Sequence, residues 1–446
     1  MKSIAAVRGR RDVLSQLGLG LALSACDTGS GRKAAPVAGS FRSVTELAAW
    51  RPDWSVMPAV ETVPWTASPS QPLAPLAQAL AQLAQGRAQQ PVLVLQFGDS
   101  HTAANFFSSR LRALFQARYG AVGPGRMSPG GAAPSYTRPP QVQVEQQGQW
   151  QAASALRAST PGPFGVAGWR LRGQGAGSRL VLRSTEPDGF DRFTLDVLVQ
   201  PEGGSFRLAL DGETGPQLRA AGALRRRAPI PMELPHRYRE VVVELVGDGP
   251  VDLLGWGVER RGAGVLVEGH GINGATIDML GNMDQEILGG DLAARPPALI
   301  LLAYGTNEAV DPALTEDAYA SVLTERVRAL KRMAPRSGIM LLGAPDSARR
   351  ARGGAGSTAC RGWQPLPGLA AVKAAQRRVA RAESLGYWDW AEVTGGDTCA
   401  LDALTRSAPR LVQDDHVHLT ADGYRASAER LFQHLMRPAT LANTQT

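Results

Sequence analysis

The chain contains two different patterns of hydrophobic and polar residues. In the first, nearly unbroken apolar runs such as PVLVLQF (91–97) and ALILLA (298–303) alternate with segments whose apolar residues recur every three to four positions, such as EDAYASVLTERVRALKRM (316–333). Continuous apolar runs are typical of strands buried on both faces, and the helical period is typical of amphipathic helices. Strands that alternate with helices predict a parallel sheet covered by helices on both sides.

The second pattern occupies residues 126–261. Short segments such as RFTLDVLVQ (192–200) and REVVVELVG (239–247) alternate in polarity, and Gly, Pro and Asp separate them. This pattern predicts an antiparallel β-sandwich. The strand–helix unit at 91–125 can enter a parallel sheet only if it joins residues 262–440. We therefore predict one α/β domain, made of these two parts, into which the β-sandwich is inserted.

The first 26 residues predict an export signal, with a basic start, an apolar stretch and small residues before Cys26. The sequence LSAC (23–26) resembles the bacterial lipoprotein cleavage box, in which the cysteine is acylated, and GRRDVLS (9–15) resembles a twin-arginine export motif. An ordinary signal with a chance cysteine is the alternative. Residues 27–90 are rich in Ala, Pro and Ser and predict a tether with one short helix at Pro75–Gln85. These features predict a periplasmic lipoprotein of a Gram-negative bacterium, held to the membrane only by its lipid.

Composition restricts the classes of partner. The net charge is +8 over 446 residues, and part of it lies in the signal, at Lys2, Arg8, Arg10 and Arg11. A charge this mild is not the basic footprint of a nucleic-acid-binding protein. In an oxidising compartment, the two remaining cysteines, Cys360 and Cys399, are expected to form a disulfide more often than a metal pair.

A serine stands where the first strand of the α/β pattern meets a helix. In FGDSHTA, Ser100 follows the strand 91–97, and Gly98 permits a tight turn there. Its hydroxyl can be exposed at the edge of the sheet, and its backbone N–H, free at the start of a helix, can bind a developing oxyanion. These are the properties of a nucleophile, although Ser100 can also be interpreted as an N-cap alone.

A serine nucleophile needs a base and a carboxylate that orients the base. In DDHVHLT (414–420), Asp415 precedes His418 by three residues, so that one turn brings the carboxylate to the imidazole, and His416 is expected to point elsewhere. Two further loops follow predicted strands and offer oxyanion donors, the backbone N–H of Gly274 in GINGAT and the side-chain amide of Asn307 in YGTNE. Three more polar residues near strand ends are expected to line the site, namely Asp99, His101 and His270.

These residues carry a resemblance to a known family. The Gly98-Asp99-Ser100 turn, the Gly274 loop, GTNE with Asn307, and Asp415-x-x-His418 resemble, in chain order, the four blocks of the SGNH (GDSL-type) hydrolases. The resemblance implies a three-layer, flavodoxin-like α/β core. It also implies that Ser100 is the nucleophile, that His418 is the base and Asp415 its partner, and that the oxyanion hole consists of Ser100, Gly274 and Asn307.

The β-rich insert between the first two blocks is further similar to that of periplasmic peptidoglycan O-acetylesterases, in which a carbohydrate-binding-like β-domain accompanies the SGNH core. This implies a serine esterase that removes O-acetyl groups from a cell-wall glycan without a metal or organic cofactor. A glycan O-acyltransferase, a general GDSL esterase or lipase, and a non-catalytic wall-binding lipoprotein are the alternatives. A metallophosphoesterase is disfavoured, because Thr102 stands where its Gly-Asp-x-x-Asp motif needs aspartate and GTNE lacks the histidine of its Gly-Asn-His motif.

Overall fold

A computed structural model of the chain describes residues 71–130, 138–351 and 360–437. The predicted export signal, the lipidation site at Cys26 and most of the predicted tether lie outside these ranges.

The strands are, in chain order, β1 (Val92–Gly98), β2 (Gly125–Met127), β3 (Val142–Ser154), β4 (Trp169–Ser184), β5 (Phe190–Val199), β6 (Ser205–Leu210), β7 (Glu213–Arg219), β8 (Arg226–Tyr238), β9 (Glu240–Leu245), β10 (Val251–Glu259), β11 (Val265–Gly271), β12 (Leu299–Ala303), β13 (Gly338–Gly343), β14 (Ala348–Arg350), β15 (Trp363–Pro365) and β16 (Gly386–Asp389). The α-helices are α1 (Ala74–Ala84), α2 (Ser100–Ala103), α3 (Phe106–Tyr119), α4 (Met279–Asn282), α5 (Gln285–Ala294), α6 (Glu316–Met333), α7 (Leu369–Ala382), α8 (Ala391–Thr394), α9 (Thr398–Leu404) and α10 (Ala421–Met436).

Five strands form a parallel sheet in the spatial order β11-β1-β12-β13-β16. Numbered by their order along the chain, these strands are arranged 2-1-3-4-5, which is the flavodoxin-like order. The chain therefore leaves β1 toward β11 on one side and returns to β12 on the other side. In such sheets ligands bind beyond the carboxyl ends of the strands at this switch point.

Each face of the parallel sheet has its own hydrophobic cluster. In β1, Leu95 and Phe97 belong to the cluster shared with α5, α6 and α7, whereas Val92 and Val94 belong to the cluster shared with α1, α3 and α10. Successive side chains of a strand point to opposite faces, so a strand covered on both faces is apolar at nearly every position. The polar exception in β1 is the buried Gln96, whose side-chain amide donates to the Thr102 hydroxyl at 2.8 Å. The predicted three-layer α/β core is confirmed.

The predicted antiparallel insert is also confirmed, with a detail that the sequence did not indicate. Its nine strands, β2 to β10, are hydrogen-bonded into one continuous, curled sheet rather than two separate sheets. The sixteen-residue strand β4 is long enough to pair with both halves of this sheet. Residues 171–173 of β4 pair with β10, and residues 179–183 pair with β9. The sheet encloses a core that includes Phe193, Phe206 and Trp256.

Buried ion pairs join the insert to the α/β core. Arg126 of β2 and Arg227 of β8 both contact the carboxylate of Asp291 on core helix α5, Arg227 at 2.8 Å. Both arginines also contact Asp196 of β5, at 3.4 Å and 2.7 Å respectively. All four side chains are at most 10% exposed. Two cations and two carboxylates therefore neutralise each other at the junction of the two domains.

Two local elements differ from what the hydrophobic pattern predicts, which is one helix after Ser100 and a strand over all of YWDWAEV (387–393). The helical pattern after Ser100 is not one helix, because α2 ends at Ala103 and Asn105 takes a left-handed conformation (φ 57°) before α3 begins. Asparagine tolerates this conformation better than most residues. The segment YWDWAEV is a strand only as far as Asp389, whose carboxylate accepts the N–H of Ala391 at 3.0 Å and starts α8.

Candidate active site

The candidate nucleophile lies at the carboxyl end of the central strand β1. Gly98 ends this strand, and a Cβ at Gly98 would lie 2.1 Å from the Thr102 hydroxyl and 2.7 Å from the Ala303 carbonyl oxygen. Only glycine therefore allows helix α2 and strand β12 to approach so closely. Asp99 caps α2 by accepting the backbone N–H of His101 at 2.9 Å, and Ser100 is the first residue of that helix.

His418 and Asp415 complete a hydrogen-bonded chain with Ser100. The Ser100 hydroxyl lies 2.9 Å from Nε2 of His418, and Nδ1 of His418 lies 2.6 Å from Oδ2 of Asp415. The other carboxylate oxygen of Asp415 accepts the backbone N–H groups of Val417 and His418, both at 2.9 Å. One oxygen therefore fixes the loop and the other orients the ring. The side chains of His418 and Asp415 are 36% and 39% exposed, so the chain opens to solvent.

Charges in the site favour an ionised aspartate beside an imidazole of raised basicity. Burial alone would raise the pKa of Asp415, but the hydrogen bond and charge of His418, together with two backbone N–H groups, lower it to about 2. Burial alone would lower the pKa of His418, but Asp415 and the charge of Asp99 outweigh burial and raise it above its ordinary value. An ionised Asp415 accepts the Nδ1 proton, which leaves the lone pair of Nε2 available to the serine hydroxyl.

The two candidate oxyanion loops follow the two strands adjacent to β1. Gly98 is in register with Gly271 of β11 on one side and with Ala303 of β12 on the other. Gly274 therefore lies three residues beyond one neighbouring strand end, and Asn307 lies four residues beyond the other. Gly274 has φ +77°, and a Cβ there would meet open space. Strand register thus places the loops of Ser100, Gly274 and Asn307 along one edge of the sheet.

Two of the three predicted lining residues lie close to the triad. The ring of His101 is 5.5 Å from the ring of His418, and its Nδ1 is 3.0 Å from the hydroxyl of Tyr424. Burial lowers the pKa of His101 to about 3, so this ring is neutral beside His418. Burial raises the pKa of Asp99 to about 7, opposed by its hydrogen bonds and by the charge of His418.

The third predicted lining residue, His270, faces a different part of the molecule. It is buried, with Nε2 3.8 Å from Oε2 of Glu268 and its ring 6.0 Å from that of Phe97. It lines a small cavity with Arg126 and Trp169, between the core and the insert. The structure gives it no contact with the serine, histidine or aspartate of the described triad.

Three structural features near the site were not found from the sequence. Tyr424 links α10 to His101, as described above. The ring of Trp363 stacks on His416 with centroids 3.6 Å apart, and Nε2 of His416 lies 3.0 Å from Asp402, so His416 anchors the loop that carries Asp415 and His418. The side chain of Glu308 joins the two candidate oxyanion loops. Only the motif position of Glu308, directly after Asn307, offered a signal in the sequence.

A disulfide joins Cys360, next to β15, to Cys399 in α9. These two elements contribute Trp363 and Asp402, the residues that hold His416. Among the described residues, no group of three or more His, Cys, Asp and Glu side chains is arranged to hold a metal ion. No helix within the described ranges is long and apolar enough to cross a membrane.

Comparison with known proteins gives one family and one informative structure. Residues 244–426 match the GDSL-like Lipase/Acylhydrolase family. The solved structure "Peptidoglycan O-acetylesterase in action, 5 min" is 27% identical to this chain with a TM-score of 0.66, and the match covers 81% of this chain and 95% of that one. A search of curated protein sequences found no match.

Two further solved structures match with TM-scores too low to support an argument. A family two carbohydrate esterase from Clostridium thermocellum is 11% identical (TM-score 0.27, covering 64% of this chain and 98% of that one). The salicylyl-acyltransferase SsfX3 from a tetracycline biosynthetic pathway is 15% identical (TM-score 0.30, covering 68% and 94%).

Proposed function

We propose that this chain, a carboxylic ester hydrolase whose residues 244–426 match the GDSL-like Lipase/Acylhydrolase family, removes O-acetyl groups from a cell-wall glycan, specifically peptidoglycan. The observation that carries the proposal is the hydrogen-bonded chain Ser100–His418–Asp415 at the switch point of the sheet. The similarity to a peptidoglycan O-acetylesterase over 95% of that protein supports the choice of substrate. This substrate is consistent with the export signal predicted at residues 1–26.

In the proposed first half-reaction, the Ser100 oxygen attacks the carbonyl carbon of the acetyl ester while Nε2 of His418 takes the hydroxyl proton. The ester carbonyl becomes a tetrahedral oxyanion, for which the N–H groups of Ser100 and Gly274 and the amide of Asn307 are the candidate donors. The oxyanion then collapses, the bond to the sugar oxygen breaks, and the imidazolium of His418 gives its proton to that oxygen. The products of this step are a free sugar hydroxyl and acetyl-Ser100.

In the second half-reaction, water replaces the sugar alcohol. His418 removes a proton from a water molecule, whose oxygen attacks the acetyl carbonyl of acetyl-Ser100. Collapse of the second tetrahedral intermediate breaks the bond to the serine oxygen, which recovers its proton from His418, and acetate leaves. Asp415 keeps the imidazole oriented and stabilises its positive charge in both halves. The chemistry requires only these side chains, the backbone donors and water.

The proposal is tested by measuring acetate released from O-acetylated peptidoglycan. We expect release by the wild-type chain and by Ser321→Ala, which removes an exposed hydroxyl on α6, but none above background by Ser100→Ala. Equal release by wild type and Ser100→Ala would show that the mechanism is wrong. If p-nitrophenyl acetate is hydrolysed in a Ser100-dependent manner while the glycan is not, the esterase mechanism stands and the proposed substrate is wrong. Transfer of the acetyl group to an added glycan, without acetate release, would identify an acyltransferase instead.

A further inference from the structure

The geometry points to Glu308 as a positioning residue that holds the two candidate oxyanion loops at their working separation. This inference rests on the proposed function, because it assumes that Gly274 and Asn307 bind the oxyanion. Glu308 itself is not proposed to touch the substrate. It lies directly after Asn307, at the start of a short 3-10 helix that ends at Val310.

The carboxylate of Glu308 bridges the two loops. Its Oε1 accepts the backbone N–H of Ile277 at 2.9 Å, and its Oε2 accepts the backbone N–H of Gly305 at 3.0 Å. Ile277 lies three residues after Gly274 in the loop that follows β11, and Gly305 belongs to the loop that follows β12. One side chain therefore fixes the distance between two loops that leave different strands.

A second hydrogen bond connects the same loops at the position of the proposed donor. Nδ2 of Asn307 donates one hydrogen to the carbonyl oxygen of Ala275 at 2.8 Å. A primary amide has two N–H bonds in one plane, so this contact fixes the direction of the second one. The orientation of Asn307 thus depends on the position of Ala275, which in turn depends on the tie between Glu308 and Ile277.

A carboxylate suits this position because both of its oxygens accept hydrogen bonds. Within the described part of the chain, no cation is among the groups that shift the pKa of Glu308, and burial raises this pKa to about 7. A partly buried carboxylate without a cation is unfavourable unless hydrogen bonds stabilise it, and here backbone N–H groups of both loops do so. Glutamine has the same shape but only one acceptor oxygen, so its NH₂ group must face one of the two backbone N–H groups.

Weakening the bridge is expected to affect the transition state more than the bound ester. The oxyanion forms only during the reaction, so donors placed slightly wrongly lower kcat while KM changes little. Small displacements of catalytic groups can cost about 10²-fold in rate. We expect Glu308→Gln to lower kcat for p-nitrophenyl acetate about 10- to 100-fold, with KM within about 2-fold of wild type.

The experiment measures four quantities for wild type, Glu308→Gln and Glu308→Asp. These are kcat, KM, the melting temperature and the affinity for methylboronic acid, which forms a tetrahedral adduct with a nucleophilic serine and places one oxygen where the oxyanion would lie. Glu308→Asp keeps both acceptors but is too short to reach both loops, so it provides a second test if Glu308→Gln does not fold. Glu325→Gln, an exposed change on α6, is the matched control and is expected to behave as wild type.

The inference predicts that kcat and boronate affinity fall together in both Glu308 variants, while KM changes little. It also predicts that Glu308→Gln costs much less in an Asn307→Ala background, because both changes damage the same hole. A folded Glu308 variant that keeps the wild-type kcat and boronate affinity would overturn the inference. Strictly additive losses in the variant that combines Glu308→Gln with Asn307→Ala would also overturn it. If Ser100→Ala retains full activity, the proposed function fails instead, whatever the Glu308 variants show.

Discussion

The Ser100 hydroxyl lies 2.9 Å from Nε2 of His418, although 318 positions of the chain separate the two residues. The antiparallel insert and most of the α/β core intervene in sequence. The contact forms because β1 ends at the edge of the sheet where the loop before α10 also lies. The orientation of His418 in this contact is set locally by Asp415, three residues earlier.

Asp415→Asn should lower kcat by about 10⁴-fold, which is the cost of the wrong imidazole tautomer in serine-histidine-aspartate sites generally. The asparagine oxygen can still accept the backbone N–H groups of Val417 and His418, so the loop should keep its shape. Its NH₂ group, however, would donate to Nδ1 and move the ring proton to Nε2, which then cannot accept from Ser100. Steady-state kinetics with p-nitrophenyl acetate checks this. Asp414→Asn, an exposed neighbour, should retain wild-type kcat, and comparable losses in both variants would contradict the assignment.

The pH dependence of kcat/KM should follow the neutral form of His418. Because its pKa is raised above the ordinary 6.5, activity should fall as the pH is lowered through a midpoint above 6.5. Asp99→Asn removes a negative charge that helps to raise this pKa, while asparagine can still cap α2. The midpoint should therefore move to lower pH in that variant. A pH–rate profile that is unchanged by Asp99→Asn, or one that moves to higher pH, would show that Asp99 does not act on His418 in this way.

Replacing both disulfide cysteines, Cys360→Ser with Cys399→Ser, should destabilise the fold. The bond closes a loop with a sequence separation of 39, and chain entropy predicts a loss of about 2–4 kcal/mol in the free energy of unfolding. Urea denaturation of the double variant and of wild type measures this difference. Wild type treated with a reductant should show the same loss. Equal midpoints for oxidised wild type and the double variant would mean that the bond does not stabilise the chain.

Asp291→Asn should test the ion pairs at the junction of the core and the insert. The change leaves Arg126 and Arg227 buried with only Asp196 as a carboxylate partner, and breaking buried pairs of this kind costs about 3 kcal/mol or more. The free energy of unfolding from urea titration is the measurement. Glu286→Gln, an exposed change on the same helix, should stay within about 0.5 kcal/mol of wild type. A loss at Asp291 no larger than at Glu286 would show that the network is energetically neutral.

The sequence alone determined the type of most core elements and the local contact between Asp415 and His418. The helix pattern at 316–333 and the apolar run at 91–97 correspond to α6 and β1, because side-chain periodicity reflects backbone geometry over a few residues. The relation of Asp415 to His418 is equally local, since a single turn brings them together. The break at Asn105 and the start of α8 after Asp389 were missed, because one side-chain hydrogen bond or one left-handed residue decides them against the hydrophobic pattern.

Tertiary structure decided which distant groups meet. The sequence could not distinguish His101, which lies beside His418, from His270, which faces Glu268, because both follow or end buried strands in the same alternating pattern. The bridge from Glu308 to Ile277 and the ion pairs around Asp291 likewise join residues that are far apart in sequence. Their partners are set by strand order, register and the packing of whole elements. These depend on the summed burial and hydrogen bonding of the complete fold, and no short stretch of the chain specifies them.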